Sequence, residues 1–178
     1  DRFKVFNDSL GHAAGDELLV QVARRIEGVV RPADTVARFG GDELVVLCEQ
    51  LSHLGEAVTV ANRVVDALAQ PFEVAGREHY VTVSIGIAPI DDARGTSPED
   101  VIRDADAAMY RAKSSGGGRI ELFDHRMREE AVERLTLENE LNVALRQGDL
   151  EVHYQPMLDL DGRPLGCEAL VRWPHAER

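Results

Sequence analysis

Apolar residues recur at helical spacing near the start of the chain. Phe3, Phe6 and Leu10 predict a short helix, and Leu18, Leu19, Val22, Ala23, Ile26 and Val29 predict a longer one that Pro32 stops. Two β-prone runs, Thr35 to Phe39 and Leu44 to Cys48, flank Gly40-Gly41-Asp42-Glu43 and predict a hairpin whose turn projects its acids at the sheet end. A helix is predicted from Ala57 to Leu68, with Val60, Val64, Val65 and Leu68 inward, ending before Pro71. Phe72 to Val74 and Tyr80 to Ile87 flank Ala75-Gly76-Arg77 as a second hairpin. Ser97-Pro98-Glu99-Asp100 supplies an N-cap and an acidic first turn for a helix through Val101, Ile102, Ala105, Met109 and Ala112. A glycine-rich loop, Ser114 to Gly118, then leads to a strand at Ile120 to Phe123.

Beyond this point Met127, Ala131, Leu135, Leu141 and Leu145 form an irregular stripe amid Arg and Glu, predicting a charge-laced linking helix from about His125 to Arg146. That stripe is a weak basis for a coiled coil. The texture then turns to strands, Leu150 to Leu158 and Leu165 to Trp173, around Asp161-Gly162. The pattern predicts an α+β domain over residues 1–124, a linker helix over 125–147 and the start of a second domain over 148–178.

The 178 residues are 44% hydrophobic and 29% charged, which excludes a disordered or membrane-spanning class. A formal net charge of -12 argues against a general nucleic-acid or anionic-membrane surface, so a phosphate ligand needs a local site or a divalent metal. Cys48 and Cys167 lie in apolar runs and are expected as buried free thiols in a reducing compartment. No apolar stretch approaches the ~20 residues of a membrane span, and no signal peptide is recognised. The expected location is cytoplasmic. Asp1 in place of Met, and an ending directly after a strand-like run, give the expectation that both ends are cut and that a longer parent carries an upstream sensor or membrane anchor.

Gly-Gly-Asp-Glu alone is a tight turn with solvated acids in most proteins. Here it stands in order with three other motifs. Asp1 to Asp16 reads Asp-Arg-Phe-Lys-Val-Phe-Asn-Asp-Ser-Leu-Gly-His-Ala-Ala-Gly-Asp, and Arg31 to Asp34 reads Arg-Pro-Ala-Asp. Gly40 to Leu44 reads Gly-Gly-Asp-Glu-Leu, and Ala105 to Lys113 reads Ala-Asp-Ala-Ala-Met-Tyr-Arg-Ala-Lys. The combination, from Asp1 to about Phe123, resembles the GGDEF diguanylate cyclase family.

That resemblance implies a nucleotide-cyclase-like palm, with a central mostly antiparallel sheet flanked by helices. It also implies condensation of two GTP into cyclic di-GMP by a homodimer in which each domain holds one GTP, with Mg²⁺ or Mn²⁺. Attack of a ribose 3′-oxygen on an α-phosphate needs phosphate charge neutralised and a proton removed, which acids at a sheet end can assist. Asp42 is implied as metal-binding acid and candidate base, with Glu43 beside it. Asn7 and Asp16 match guanine-bonding positions, an amide and a carboxylate suiting that base's donors and acceptors; without the family both read as helix caps. Phe3, His12, Gly40 and Gly41 match substrate-binding positions, and Lys4 and Lys113 match phosphate-contacting lysines. Arg31 and Asp34 match the family's inhibitory product site; otherwise they read as a surface salt bridge.

Three departures accompany the match. The family's aspartate binding both metals falls two positions before Asp1, on a first strand absent here, so the chain alone is expected to have little cyclase activity. Gly117 replaces the usual phosphate-binding arginine in Ser115-Gly116-Gly117-Gly118-Arg119, which puts turnover rather than GTP binding in question. Leu44 replaces Phe and loses only ring volume. His153-Tyr154-Gln155-Pro156 and Glu168-Ala169-Leu170-Val171-Arg172-Trp173 resemble the first strands of EAL cyclic di-GMP phosphodiesterases, a β/α barrel. By that resemblance Glu168 is a metal ligand, Arg172 a phosphate contact and Gln155 a substrate-facing residue. The alternative expectation is a GTP-binding regulatory module controlling an adjoining EAL phosphodiesterase.

Overall fold

Two helices joined at a glycine open the chain in the computed structural model, which describes residues 1–90 and 96–174 and leaves out the side chains of Arg128 and Ala131. Helix α1 (Phe3–Leu10) meets α2 (His12–Glu27) at Gly11, whose φ of 85° lies in the left-handed region that glycine enters without a Cβ clash. Leu18, Leu19 and Ile26 form the buried face of α2. The helix ends at Glu27 rather than running through Val29 to Pro32. Val29 and Val30 N–H groups instead turn back to the Ile26 carbonyl at 3.0 and 3.1 Å, and both side chains still reach the core.

Strands β1 (Thr35–Gly40) and β2 (Glu43–Leu47) form the predicted antiparallel hairpin, with Val36, Leu44 and Val46 turned to the core. Helix α3 (Leu54–Leu68) starts before the predicted Ala57, and Glu56 in its first turn reaches back to accept the Ser52 N–H at 3.2 Å. Its inner face is Val60, Ala61, Val64 and Leu68. Arg25 fastens α2 to the end of α3: its guanidinium donates to the carbonyls of Ala67, Gln70 and Pro71 and lies 3.6 Å over the Phe72 ring.

The second predicted hairpin is shorter than its sequence pattern. Strand β3 (Phe72–Val74) pairs with β4 (Arg77–His79) through Ala75 and Gly76, both at positive φ as a two-residue primed turn requires. Strand β5 (Ile85–Ile87), expected as the far end of that hairpin, pairs in parallel with β6 (Ile120–Leu122). Between them comes α4 (Pro98–Ser114), whose N-cap Ser97 Oγ accepts the Asp100 N–H at 3.1 Å. Helix α4 lies directly on β5 because Gly86 has no side chain: a Cβ there would sit 2.0 Å from the Ala105 carbonyl oxygen and 2.3 Å from the Met109 nitrogen.

The architecture is α+β, but hydrogen bonding among the described residues forms four separate two-stranded pairs, not one central sheet. Three are antiparallel and β5–β6 is parallel. The stretch Tyr80–Ser84, predicted as strand, lies in none of them; its Thr82 carbonyl accepts the Asp1 ammonium at 2.7 Å instead. Leu18, Ile26, Val64, Leu68, Phe72 and Val74 make the core beneath these elements.

Residue contacts divide the chain into Asp1–Arg128 and Glu129–Arg178. Helix α5 (His125–Gln147) runs across this boundary and ends at Gly148 (φ 76°), where the Asp149 N–H reaches the Ala144 carbonyl at 3.0 Å. Of its predicted stripe, Met127 is buried, Leu135, Leu141 and Leu145 are exposed, and the Ala131 side chain lies outside the described residues. Strands β7 (Glu151–Leu158) and β8 (Pro164–Arg172) form an antiparallel hairpin exposed on both faces except at half-buried Leu170. Cys167, expected to be buried, is therefore exposed, and Cys48 is half-buried; both are free thiols.

Candidate functional site

The Gly40–Glu43 turn is stiff in its backbone and open around it. Gly40 pairs with Glu43 across a bulge next to Arg38, Gly41 has φ 51°, and Arg38 Nε donates to the Gly41 carbonyl at 3.0 Å. A Cβ added at Gly40 or Gly41 would meet nothing within 4 Å. Asp42 and Glu43 are exposed and make no hydrogen bond or ion pair among the described residues.

Burial lowers the pKa of the Asp1 amine most, while Asp42 raises it and Lys113 lowers it. The Asp1 carboxylate accepts from Thr82 Oγ1 at 3.0 Å, Ser84 Oγ at 2.9 Å and the Gly118 N–H at 3.2 Å. Gly116, Gly117 and Gly118 all have positive φ, at 112°, 73° and 64°. Position 117 is thus built for glycine, and an arginine there meets backbone strain. Sequence reading did not single out Ser84, a lone buried hydroxyl in the apolar run Val81 to Ile87; that break in the pattern was the available signal.

At the corner of α1 and α2 the structure brings Phe3, Asn7 and Gly15 together. A Cβ on Gly15 would fall 1.8 Å from Asn7 Oδ1 and 3.0 Å from Phe3 Cζ. Asn7 Oδ1 is buried without a hydrogen-bond partner, an acceptor left open. Asn7 and Asp16 lie inside helices, so neither is the cap its residue type suggests. His12 and Asp16 are exposed one turn apart on α2, and Lys4 is exposed on α1. Gly15 was missed because its role is steric and depends on a residue in the preceding helix.

Arg31 and Asp34 flank a tight turn before β1, but their side chains do not pair. Asp34 Oδ2 accepts the Arg31 N–H at 2.8 Å and Oδ1 accepts the Glu49 N–H at 3.3 Å. The Arg31 guanidinium donates from Nη2 to Glu56 Oε2 at 3.0 Å. This bond, followed by the Ser52 N–H, holds the Glu56 carboxyl below its ordinary pKa. Burial, then Asp34, raises the nearby Cys48 thiol. In the second unit Gln155 stands opposite Glu168 and Glu151 opposite Arg172, so the strand period places Gln155, Glu168 and Arg172 on one face of the hairpin.

No group of three His, Cys, Asp or Glu side chains able to hold a metal ion occurs among the described residues. Asp42 offers a single carboxylate, so those residues alone do not build a metal site. No described helix is long and apolar enough to cross a membrane. Residues 1–119 match the family model described as diguanylate cyclase, GGDEF domain. The chain belongs to the GGDEF family. This GGDEF chain is 41% identical over 178 residues to the bifunctional diguanylate cyclase/cyclic di-GMP phosphodiesterase MucR of Pseudomonas aeruginosa, covering 99% of this chain and 26% of MucR. It is 40% identical over 178 residues to the cyclic di-GMP phosphodiesterase NbdA of the same organism, covering 98% of this chain and 22% of NbdA. The chain thus spans about a quarter of the length of these curated relatives. The crystal structure of the GGDEF domain of YfiN (TpbB) from Pseudomonas aeruginosa superposes with a TM-score of 0.66 at 39% identity, covering 70% of this chain and 77% of that one.

Proposed function

We propose that this chain is the nucleotide-handling part of a diguanylate cyclase that condenses two GTP into cyclic di-GMP as a homodimer. Asn7 and Asp16 read the guanine, beside Phe3 and His12; Lys4 and Lys113 hold phosphate, and Gly40 and Gly41 let the backbone approach it. Asp42, with Glu43 next to it, supplies the acid where the 3′-hydroxyl loses its proton. Asp42 would contribute one carboxylate toward a magnesium or manganese ion, which when bound would neutralise phosphate charge. Arg31 and Asp34 take the product. The observation that carries this reading is the open Gly40–Glu43 turn, where nothing lies within 4 Å of a Cβ added at either glycine and the adjoining Asp42 and Glu43 are exposed. An exposed acid at a turn whose glycines leave room for close backbone approach suits proton removal and metal ligation beside a phosphate.

In the same proposal residues 148–178 begin an EAL phosphodiesterase domain, with 1–124 the GGDEF domain and 125–147 the linker. Glu168 is then a metal ligand, and Gln155 and Arg172 contact substrate. The shared face of these three residues supports that part.

A second reading, a GTP-binding module that regulates an adjoining phosphodiesterase without turnover, is favoured by one observation. The loop after α4 carries three consecutive left-handed glycines and no cation at position 117. Incubation of the longer parent protein with GTP and Mg²⁺, followed by chromatography, separates the two. Accumulating cyclic di-GMP supports the cyclase. Bound but unreacted GTP, with added cyclic di-GMP converted to the linear dinucleotide, supports the regulatory module.

A further inference from the structure

The proposed product site contains a third charged group. Asp34 is immobilised, each carboxylate oxygen already taking a backbone N–H, from Arg31 and from Glu49. Arg31 is different: its one side-chain contact among the described residues is the Glu56 carboxylate, at 3.0 Å. Glu56 is itself held in place, since its other oxygen takes the Ser52 N–H at the entrance to α3. A carboxylate fixed at one end by the backbone and at the other by the arginine is a built feature of this corner.

Resting on the reading of Arg31 and Asp34 as a product site, we infer that Glu56 is a resident competitor there: it occupies the Arg31 guanidinium and sets the affinity for cyclic di-GMP. A guanidinium offers five donors in a planar fork, and the fork grips an anion or a guanine edge through two parallel bonds. With Nη2 committed to Glu56, one arm of that fork is spent. An anionic dinucleotide approaching the other arm also meets a like charge a few ångströms away. An ion pair this exposed, with the side chains 47% and 25% accessible, contributes little net stability, so an incoming ligand can displace it. The result is a site whose affinity is lowered by a carboxylate of its own fold, so feedback begins at a higher product concentration than Arg31 and Asp34 alone would give.

Glu56→Gln keeps the side-chain shape and an oxygen for the Ser52 N–H while removing the charge. Equilibrium titration of the protein with cyclic di-GMP is expected to show about three- to tenfold tighter binding for E56Q. R31A is expected to lose at least about tenfold. In the R31A background E56Q is expected to have no effect, because the competitor acts only through the arginine. Unchanged or weaker binding by E56Q, with R31A still damaging, overturns the inference. So does an equal gain in the R31A background, which marks a general charge effect. Unchanged binding by R31A overturns the product-site reading itself, an outcome distinct from the other two. E56A serves as a second variant with the same expected tightening, and thermal midpoints verify that each variant is folded.

Discussion

Strand β1 has an acid-bearing turn at each end, and the two turns differ in what their side chains already touch. At Asp34 the carboxylate is saturated by two backbone N–H groups, and the neighbouring Arg31 is tied to Glu56. At Asp42, about 20 Å away along an extended strand, the backbone is braced by Arg38 while the acids make no hydrogen bond or ion pair among the described residues. The first corner spends its polar groups on holding itself in shape. The second keeps them free and uses glycines to stay open. Under the proposed function, the first corner is the one that binds and releases product and the second the one that takes up charge during the reaction.

The comparison breaks most sharply at Asp42. Because its side chain makes no hydrogen bond or ion pair among the described residues, Asp42→Asn is expected to leave thermal stability unchanged while lowering cyclic di-GMP formation by the longer parent protein about 100-fold or more. A drop in stability of matching size would show that the open turn is structural after all.

Lys113, proposed to hold phosphate, is carried on α4, which lies against β5. Gly86→Ala drives a Cβ into the Ala105 and Met109 backbone, which cannot rotate away as a side chain can. A loss of about 1–3 kcal/mol in denaturant unfolding is expected, together with weaker GTP binding as α4 lifts.

Gly40→Ala sharpens the contrast from the other direction. Space around Gly40 is empty and its φ is not left-handed, so stability should change by less than about 0.5 kcal/mol. If phosphate approaches the backbone there, GTP affinity nonetheless falls severalfold, as calorimetry would show.

The smallest expected effect concerns pH at the closed corner. Glu56 has its folded pKa lowered by Arg31, so its stabilising contribution is complete above its ordinary 4.5 and is lost as pH falls through the lower folded value. Since the pair is exposed, the slope is slight. Denaturation of the wild type and E56Q compared from about pH 6 down to about pH 3 should show a slightly steeper loss of stability in the wild type, the difference being the share of Glu56.

Much of the fold was legible from local pattern. The runs around Gly40 and Gly41, the Ser97 cap and the apolar stripes of α3 and α4 are signals carried by neighbouring residues, and the structure places these elements within a turn of their predicted ends, while α2 starts at His12, more than a turn before its predicted run at Leu18. The arm predicted from Tyr80 to Ile87 failed because β-propensity names a strand and not its partner: Ile85 pairs with Ile120 across a whole helix. In the candidate site, motif spacing pointed to Asp42, Asn7 and Arg31 but not to their surroundings. Asn7 and Asp16 look like caps by residue type, and only the helix geometry shows them to be internal.

The sequence by itself determined the order of elements, the family and the chemical types available at each position, since these rest on periodicity, turn chemistry and ordered motifs. The tertiary structure decided who meets whom. Glu56 reaches Arg31, Gly15 makes room for Asn7, and Ser84 and Gly118 reach the Asp1 carboxylate. Each of these joins residues on different elements, and such contacts are fixed by how helices and strands pack, a long-range arrangement that no local window of the chain contains.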